Sequence, residues 1–508
     1  MSTLKFGWAE KSITPDKKVS LAGQFAERIS EYVEKPITVT ALAIDDGTEQ
    51  AVFVSCDLVA VSINLVDSVR EAIAGKAEGL DPMKVMISAI HTHTAPVYPR
   101  ENQAKRAGSN AAFSTSSRVI LESLLPPGRK YIESAPVTDN PDVITPAETY
   151  TLLVERISAA IIEAWEGRKE GSFTNAFGRA SVGHCRRAVY SDGSAQMWGD
   201  TNTAVFEEIE CDSDDGIELL FIKDAEGKIS GIVANIACPA QCVQHRLFVS
   251  PDYWGEVKVR LRKYFGEELY LLALCAPAGC QCPVDLVRWV VPESDVNDPN
   301  IEHAHPLKRK ADPSMFDISG MKVTGRRIAT EIIAVYEEGL DDPQKDPVFE
   351  HKVETMQLPL RRATMAEYNK ACRGVKEYLA EHPGDVNFYD AAKMQVDLGV
   401  ISRYKLQEVM NVVPIESHIL RLGTVAFATN PFELFLKYGN QIRVRSKAEQ
   451  TFLIQLCNGA EGYLPTVKAE KGGHYSAFIS SGECGHEGGE LYVRETLQEI
   501  QELFPEVE

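Results

Sequence analysis

The tripeptide His91-Thr92-His93 directly follows the apolar run Lys84-Val85-Met86-Ile87-Ser88-Ala89-Ile90. Two imidazoles at i and i+2 of an extended chain point to the same side, so a strand end can present both to one cleft. That pairing suits one ring as a metal ligand and its neighbour as a hydrogen-bond donor or proton shuttle. The competing reading is a pair of hydrogen-bonded structural histidines. In Pro431-Phe432-Glu433-Leu434-Phe435 a carboxylate sits among large apolar groups after an apolar strand. Buried there, it needs an ionic partner or a metal; in an exposed first helical turn its charge would merely complement the helix dipole.

Further candidates lie in five short segments. Ala237 to His245 carries Cys238, Cys242 and His245, and Cys280-Gln281-Cys282 adds two more thiols. Cysteine and histidine both suit zinc, but neither spacing is a Cys-x-x-Cys knuckle, and small buried thiols packing near a cleft explain them equally well. A cysteine nucleophile with His93 or His245 as its base is chemically open, without any spacing that favours it. Asn458 to Thr466 and Gly472-Gly473-His474-Tyr475 are punctuated by glycine and carry Tyr463 and Tyr475. Glycine permits close approach of a ligand and a phenol can bind substrate or intermediate, although aromatics in such turns also cap cores. Arg186-Arg187 could grip an anion with forked donors; the alternative is an ordinary basic surface pair.

The elements that must position these groups read as an α/β pattern. Thr38-Asp45 and Gln50-Asp57 are apolar, β-branched runs around Asp46-Gly47, which predicts a hairpin. Helical spacing over Ile63-Ala77 and the strand ending at Ile90 complete a strand, helix, strand crossover. A long helix is expected over Pro146-Glu170, strands at Leu219-Lys223, Ile232-Cys238 and Leu269-Cys275, and a helix at Trp254-Tyr264. Leu286 to Lys310 reads as a long loop or lid. Helices follow at Thr324-Glu337, Thr364-Glu381 and Asp390-Val409, then strands at Ser417-Leu422 and Thr424-Thr429, a helix from Pro431, and a strand at Thr451-Leu456. The simplest organisation is one catalytic unit spanning 1-508, with the helix-rich stretch 320-410 a candidate lobe.

Bulk properties narrow the partners. A net charge of -20 over 508 residues disfavours nucleic acid and anionic membrane surfaces, which need a basic footprint; a local basic pocket for a small anion remains compatible. The eleven cysteines are expected as reduced thiols. Neither a signal peptide nor an apolar run of membrane-spanning length is visible, so a cytoplasmic protein acting on a small molecule is expected, with a homo-oligomer left open.

Taken in order, these motifs resemble the catalytic domain of the neutral/alkaline, non-lysosomal ceramidases and their bacterial relatives. The likeness runs through Gly7-Trp8-Ala9, Ile13-Thr14-Pro15, Leu21-Ala22-Gly23, Ser88 to Pro96, Ala276 to Cys280, Pro431-Phe432-Glu433 and Gly462-Tyr463. The resemblance implies a large mixed-sheet α/β domain and a zinc ion, or another divalent metal, activating water for amide hydrolysis. It would make His91, Glu433 and Tyr463 metal ligands, His93 the assisting histidine and Tyr475 a transition-state contact. Two departures stand out: the second ligand histidine is replaced by Ala237-Cys238-Pro239, so that Cys238 or His245 substitutes, or the metal is held differently, or zinc is absent, and Cys280 stands where the family usually has aspartate. The leading expectation is a metal-dependent hydrolase of an amide or related bond in a small soluble substrate. The alternatives are a carbohydrate-active enzyme, hydrolase or lyase, with Arg186 receiving an acidic sugar, and a non-catalytic binding protein.

Overall fold

Strict alternation of side chains decides how the first half folds. In the computed structural model, which describes residues 4–24, 27–101, 117–132, 140–290, 310–312, 315–344 and 347–505, strand Thr38–Asp45 pairs antiparallel with Gln50–Cys56, as expected. Val39, Ala41 and Ala43 join Val52, Val54 and Cys56 in one apolar cluster, while Leu42 and Ile44 join Ala51 and Phe53 in another. Both faces of these strands are therefore buried, and their near-continuous apolar sequences follow from that.

They belong to an eight-stranded sheet in the order Tyr270–Cys275, Ile229–Ile236, Gly216–Asp224, Lys169–Arg179, Lys5–Ser12, Thr38–Asp45, Gln50–Cys56, Val85–Ala89. The terminal pair at each end is parallel and the interior pairs are antiparallel. Parallel neighbours require crossovers, and helices Ile63–Ile73 and Tyr253–Phe265 supply them. Helices Ile63–Ile73 and Pro146–Glu166 cover one face of the sheet. Against the other face lies a four-stranded sheet, Phe349–Pro359, Val412–Leu422, Val425–Thr429 and Gln450–Ile454. Phe53, Leu272, Leu274, Phe427 and Phe452 interlock between the two sheets, and each such side chain contributes about 1.5–3 kcal/mol by leaving water.

The second sheet is tied to strand Val85–Ala89 by a buried polar chain. His351 Nε2 lies 2.8 Å from His418 Nδ1, and His418 Nε2 lies 2.8 Å from Glu416 Oε1. Arg70 grips Glu416 with two bonds of 2.8 and 2.6 Å, and Asn458 donates to the same carboxylate while accepting from Ile87 N.

Several expected boundaries move. The helix from Pro146 stops at Glu166, and Lys169–Arg179 is a strand. No helix begins at Pro431: Glu433–Leu434 pairs in parallel with Tyr463–Leu464, and the helix runs over Leu436–Arg445. Glu433 N donates to Gly462 O and Leu434 N to Gln455 Oε1, so tertiary partners take the amides that a helix start would leave open. The predicted helix at Asp390-Val409 is two, Phe388–Lys393 and Gln395–Leu406, the first capped by Asn387. Within 320-410, Met365–Glu381 and Gln395–Leu406 share a cluster with Ser117–Leu124, whereas Asp317–Glu338 packs with Tyr253–Phe265. Strand Asp285–Val290 pairs with Lys310–Asp312; the rest of the expected lid, 291–309, lies outside the described residues. Among the described residues no helix is long and apolar enough to cross a membrane.

Candidate active site

Strand Val85–Ala89 ends where the chain turns sharply, with His91 at φ 66°. A non-glycine residue in that region is strained and must be held by its surroundings. Ala89 N donates to Leu456 O, Asn458 N to Ile87 O, and Thr92 N to Leu58 O. His91 Nδ1 lies 2.6 Å from Val59 O, so Nδ1 carries the proton and Nε2 is the atom aimed into the site.

His93 stands edge-on to His91, with Nε2 to Nε2 at 3.3 Å. A side chain on Gly23, which has φ +93°, would meet His93 Cγ at 2.4 Å, so a glycine is required for the ring to occupy this place. Arg28 holds the carbonyl of His93 at 2.7 Å. Gln241 sets the protonation of His93. Arg186 Nη1 donates to Gln241 Oε1 at 3.2 Å, and a guanidinium can only donate, so the Gln241 amide N–H faces His93 Nε2 at 2.9 Å. His93 Nε2 is therefore an acceptor, its single lone pair turned to the Gln241 amide. Burial, reinforced by the neighbouring His91, Arg28 and Arg186, holds His93 well below the usual histidine range.

Glu433 Oε2 lies 3.4 Å from His91 Nε2, and the Tyr463 phenol donates to the same carboxylate. Burial opposes its charge, but His91 and Arg186 outweigh this and keep Glu433 below the usual carboxylate range. Burial pushes Tyr463 well up and Tyr475 up, so both keep their protons. The buried guanidinium of Arg186 is kept charged by the Glu433 carboxylate against the cost of burial, and its Nε has no hydrogen-bond partner. His91, His93, Arg186, Glu433, Tyr463 and Tyr475 line one cavity of about 710 Å³ together with Gln241, Trp198 and Phe478.

Two expected residues stand elsewhere. Cys238 is fully buried, its Sγ 3.3 Å from Val182 O, and burial holds the thiol well above its usual value. The His245 ring stacks on Phe316 at 5.1 Å and faces Asp317 at 3.5 Å. Neither lines the cavity. Gln241 carries no sequence signal of its own: the chemistry of its loop points to soft ligands, and an amide is not one. Trp198, at φ 59°, carried no signal that separated it from other aromatics.

The implied zinc centre does not fit these residues. Among the described residues no three or more of His, Cys, Asp and Glu are placed to hold one metal ion. His91 and Glu433 converge with a single phenol, Tyr463, while the Cys238 thiol faces a backbone carbonyl and Arg186 brings a positive charge to the same carboxylate. A hydrolytic zinc site takes three firm protein ligands and leaves the fourth position open.

Neither a family model nor a curated protein matches the sequence. Solved structures match the fold. Neutral ceramidase from Pseudomonas aeruginosa superposes with a TM-score of 0.64 at 15% identity, covering 98% of this chain and 74% of that one. The fold is shared with ceramidase. A ceramidase complexed with C2 gives a TM-score of 0.63 at 13% identity, covering 98% and 75%. The large mixed-sheet α/β fold expected from the motif order is thus present. Identity this low establishes architecture and leaves chemistry to be argued from the site.

Proposed function

We propose that this protein is a hydrolase that cleaves an amide or related bond in a small substrate bearing an anionic group. The reading rests on one observation: His91 Nε2 stands 3.3 Å from His93 Nε2 and 3.4 Å from Glu433 Oε2, at a cavity that also holds the buried Arg186. His93, neutral and with Nε2 unprotonated, takes the proton from an attacking water that displaces the Gln241 N–H from Nε2. His91 and Glu433 pass a proton between them and return it to the leaving group. Arg186 and the protonated Tyr475 donate to the oxyanion, and each preorganised donor of this kind is worth about 3 kcal/mol. The ceramidase fold supports hydrolysis as the reaction class, and the donor set argues for acid–base groups in place of the metal.

The unpartnered Nε of Arg186 favours a second reading, elimination next to a carboxylate. Arg186 would neutralise the carboxylate, His93 would remove the adjacent carbon-bound proton, and Tyr475 would protonate the leaving oxygen. A glycoside hydrolase is less well supported: it needs two carboxyl groups across the scissile bond, and among the described residues lining the cavity Glu433 is the one carboxylate. Turnover of an amide and acidic-oligosaccharide panel in ¹⁸O-water separates the two. Label in the product supports hydrolysis; an unlabelled, unsaturated product overturns it in favour of elimination. No turnover by the native protein, with ligand binding unchanged in His93→Ala, would leave a binding protein.

A further inference from the structure

Behind Arg186 three thiols from distant parts of the chain meet. Cys211 Sγ lies 3.1 Å from Cys185 Sγ and 3.2 Å from Cys280 Sγ. Cys185 lies in the short strand His184–Cys185, which pairs with Gln281–Cys282 and so brings Cys185 beside Cys280; Cys211 follows strand Phe206–Ile209. Cys185 and Cys280 are buried, while Cys211 is partly exposed. Cys280 Sγ also receives Leu436 N–H at 3.5 Å and the Gln281 side-chain N–H at 3.4 Å, donors that steady negative charge on sulfur. Other cysteine thiols, such as Cys238 and Cys275, face backbone carbonyls instead.

We propose that Cys185, Cys211 and Cys280 form an oxidation site at which hydrogen peroxide joins Cys211 to one of its two neighbours, Cys280 first, in a disulfide. The Cys211 sulfur attacks one peroxide oxygen: the S–O bond forms, the O–O bond breaks, and the other oxygen leaves as water with the thiol proton. The Cys280 sulfur then attacks the Cys211 sulfur: the S–S bond forms, the S–O bond breaks, and the hydroxyl leaves as water with the Cys280 proton. Two thiols lose two electrons in all, and peroxide is reduced to two waters. Cys185, on the far side of Cys211, can exchange into the bond by attacking Cys211 and releasing Cys280. The site adjoins the catalytic groups without belonging to them. Arg186 N donates to Cys280 O, Gly279 N donates to Leu434 O, and Arg186 Nη2 reaches Gly279 O, so oxidation bears on the segment that seats Arg186 and Glu433.

The test is differential alkylation of the full-length reduced protein before and after peroxide, followed by peptide mapping. Native protein is expected to lose two alkylatable thiols and to yield a Cys211–Cys280 or Cys211–Cys185 linked peptide that dithiothreitol dissolves. Cys211→Ser, checked by its melting curve, should lose that peptide while its remaining thiols stay reduced. The proposal is overturned if native protein keeps all three thiols alkylatable, or if peroxide carries Cys211 to the sulfinic or sulfonic acid with no linked peptide.

Discussion

Gln241 stands between Arg186 and His93 with its amide oriented by the guanidinium, 3.2 Å on one side and 2.9 Å on the other. The arrangement fixes which nitrogen of His93 holds the lone pair, and the consequences are measurable.

His93→Ala should lower kcat by about 10²- to 10⁴-fold, the usual contribution of a positioned general base, with a small change in KM. Steady-state kinetics on the best substrate from the amide panel checks this. A fall confined to KM would make His93 a binding residue.

Gln241→Glu replaces the N–H that faces His93 with a carboxylate. The base must be neutral, so activity falls on the acidic side as His93 gains its proton. In the native protein that limb lies below the ordinary histidine value of about 6.5, because burial and positive neighbours depress His93. A carboxylate stabilises the imidazolium, so the limb of kcat/KM should move to higher pH in the variant. An unmoved limb would detach His93 from the rate.

Protein purified without chelators should carry less than one equivalent of transition metal and keep its activity after chelation. Elemental analysis paired with assays before and after chelation decides it. Activity that falls on chelation and returns with zinc would show that His91, Glu433 and Tyr463 do assemble a metal centre.

Gly23→Ala should destabilise the fold by about 1–3 kcal/mol, the cost of a strained backbone conformation, and reduce activity further by displacing the His93 ring that its Cβ would meet. Denaturant unfolding and kinetics on the same preparation separate the two effects.

Stability should depend on pH through the His351, His418 and Glu416 chain. Burial holds His351 well below, and His418 below, the ordinary value, so the unfolded chain takes up protons first. Their contribution is complete above about 6.5 and is lost as the pH falls below it. Glu416, held down by Arg70 and His418 against its burial, adds a further loss below about 4.3. The melting temperature should therefore level off above about pH 7 and decline in two stages on acidification. His351→Gln should remove part of the upper stage.

Much of the scaffold was legible because its signals are local. The apolar, β-branched runs of Thr38–Asp45 and Gln50–Cys56, the helical spacing of Ile63–Ile73 and the compact apolar run before His91 are each readable in a short stretch of sequence. Lys169–Arg179 and Phe349–Pro359 were not legible: both mix charged and polar residues with apolar ones, the first with two glycines as well, and the strand state comes from neighbouring ladders. The same holds at Glu433, where local sequence suggests a helix and pairing with Tyr463 prevents it.

The sequence by itself determined that two histidines close a buried strand and that a carboxylate, two phenols and an arginine were available to join them. Only the tertiary structure decided which of them meet. Cys238 and His245 lie in the same loop as Gln241, yet the loop turns the thiol toward Val182 and the imidazole toward Phe316, and brings the amide to His93. Residue type states what a group can bind or titrate. Its direction is set by backbone hydrogen bonds and packing from segments distant in sequence, and those contacts selected an Arg186, Gln241 and His93 chain where the motif order implied a zinc ligand.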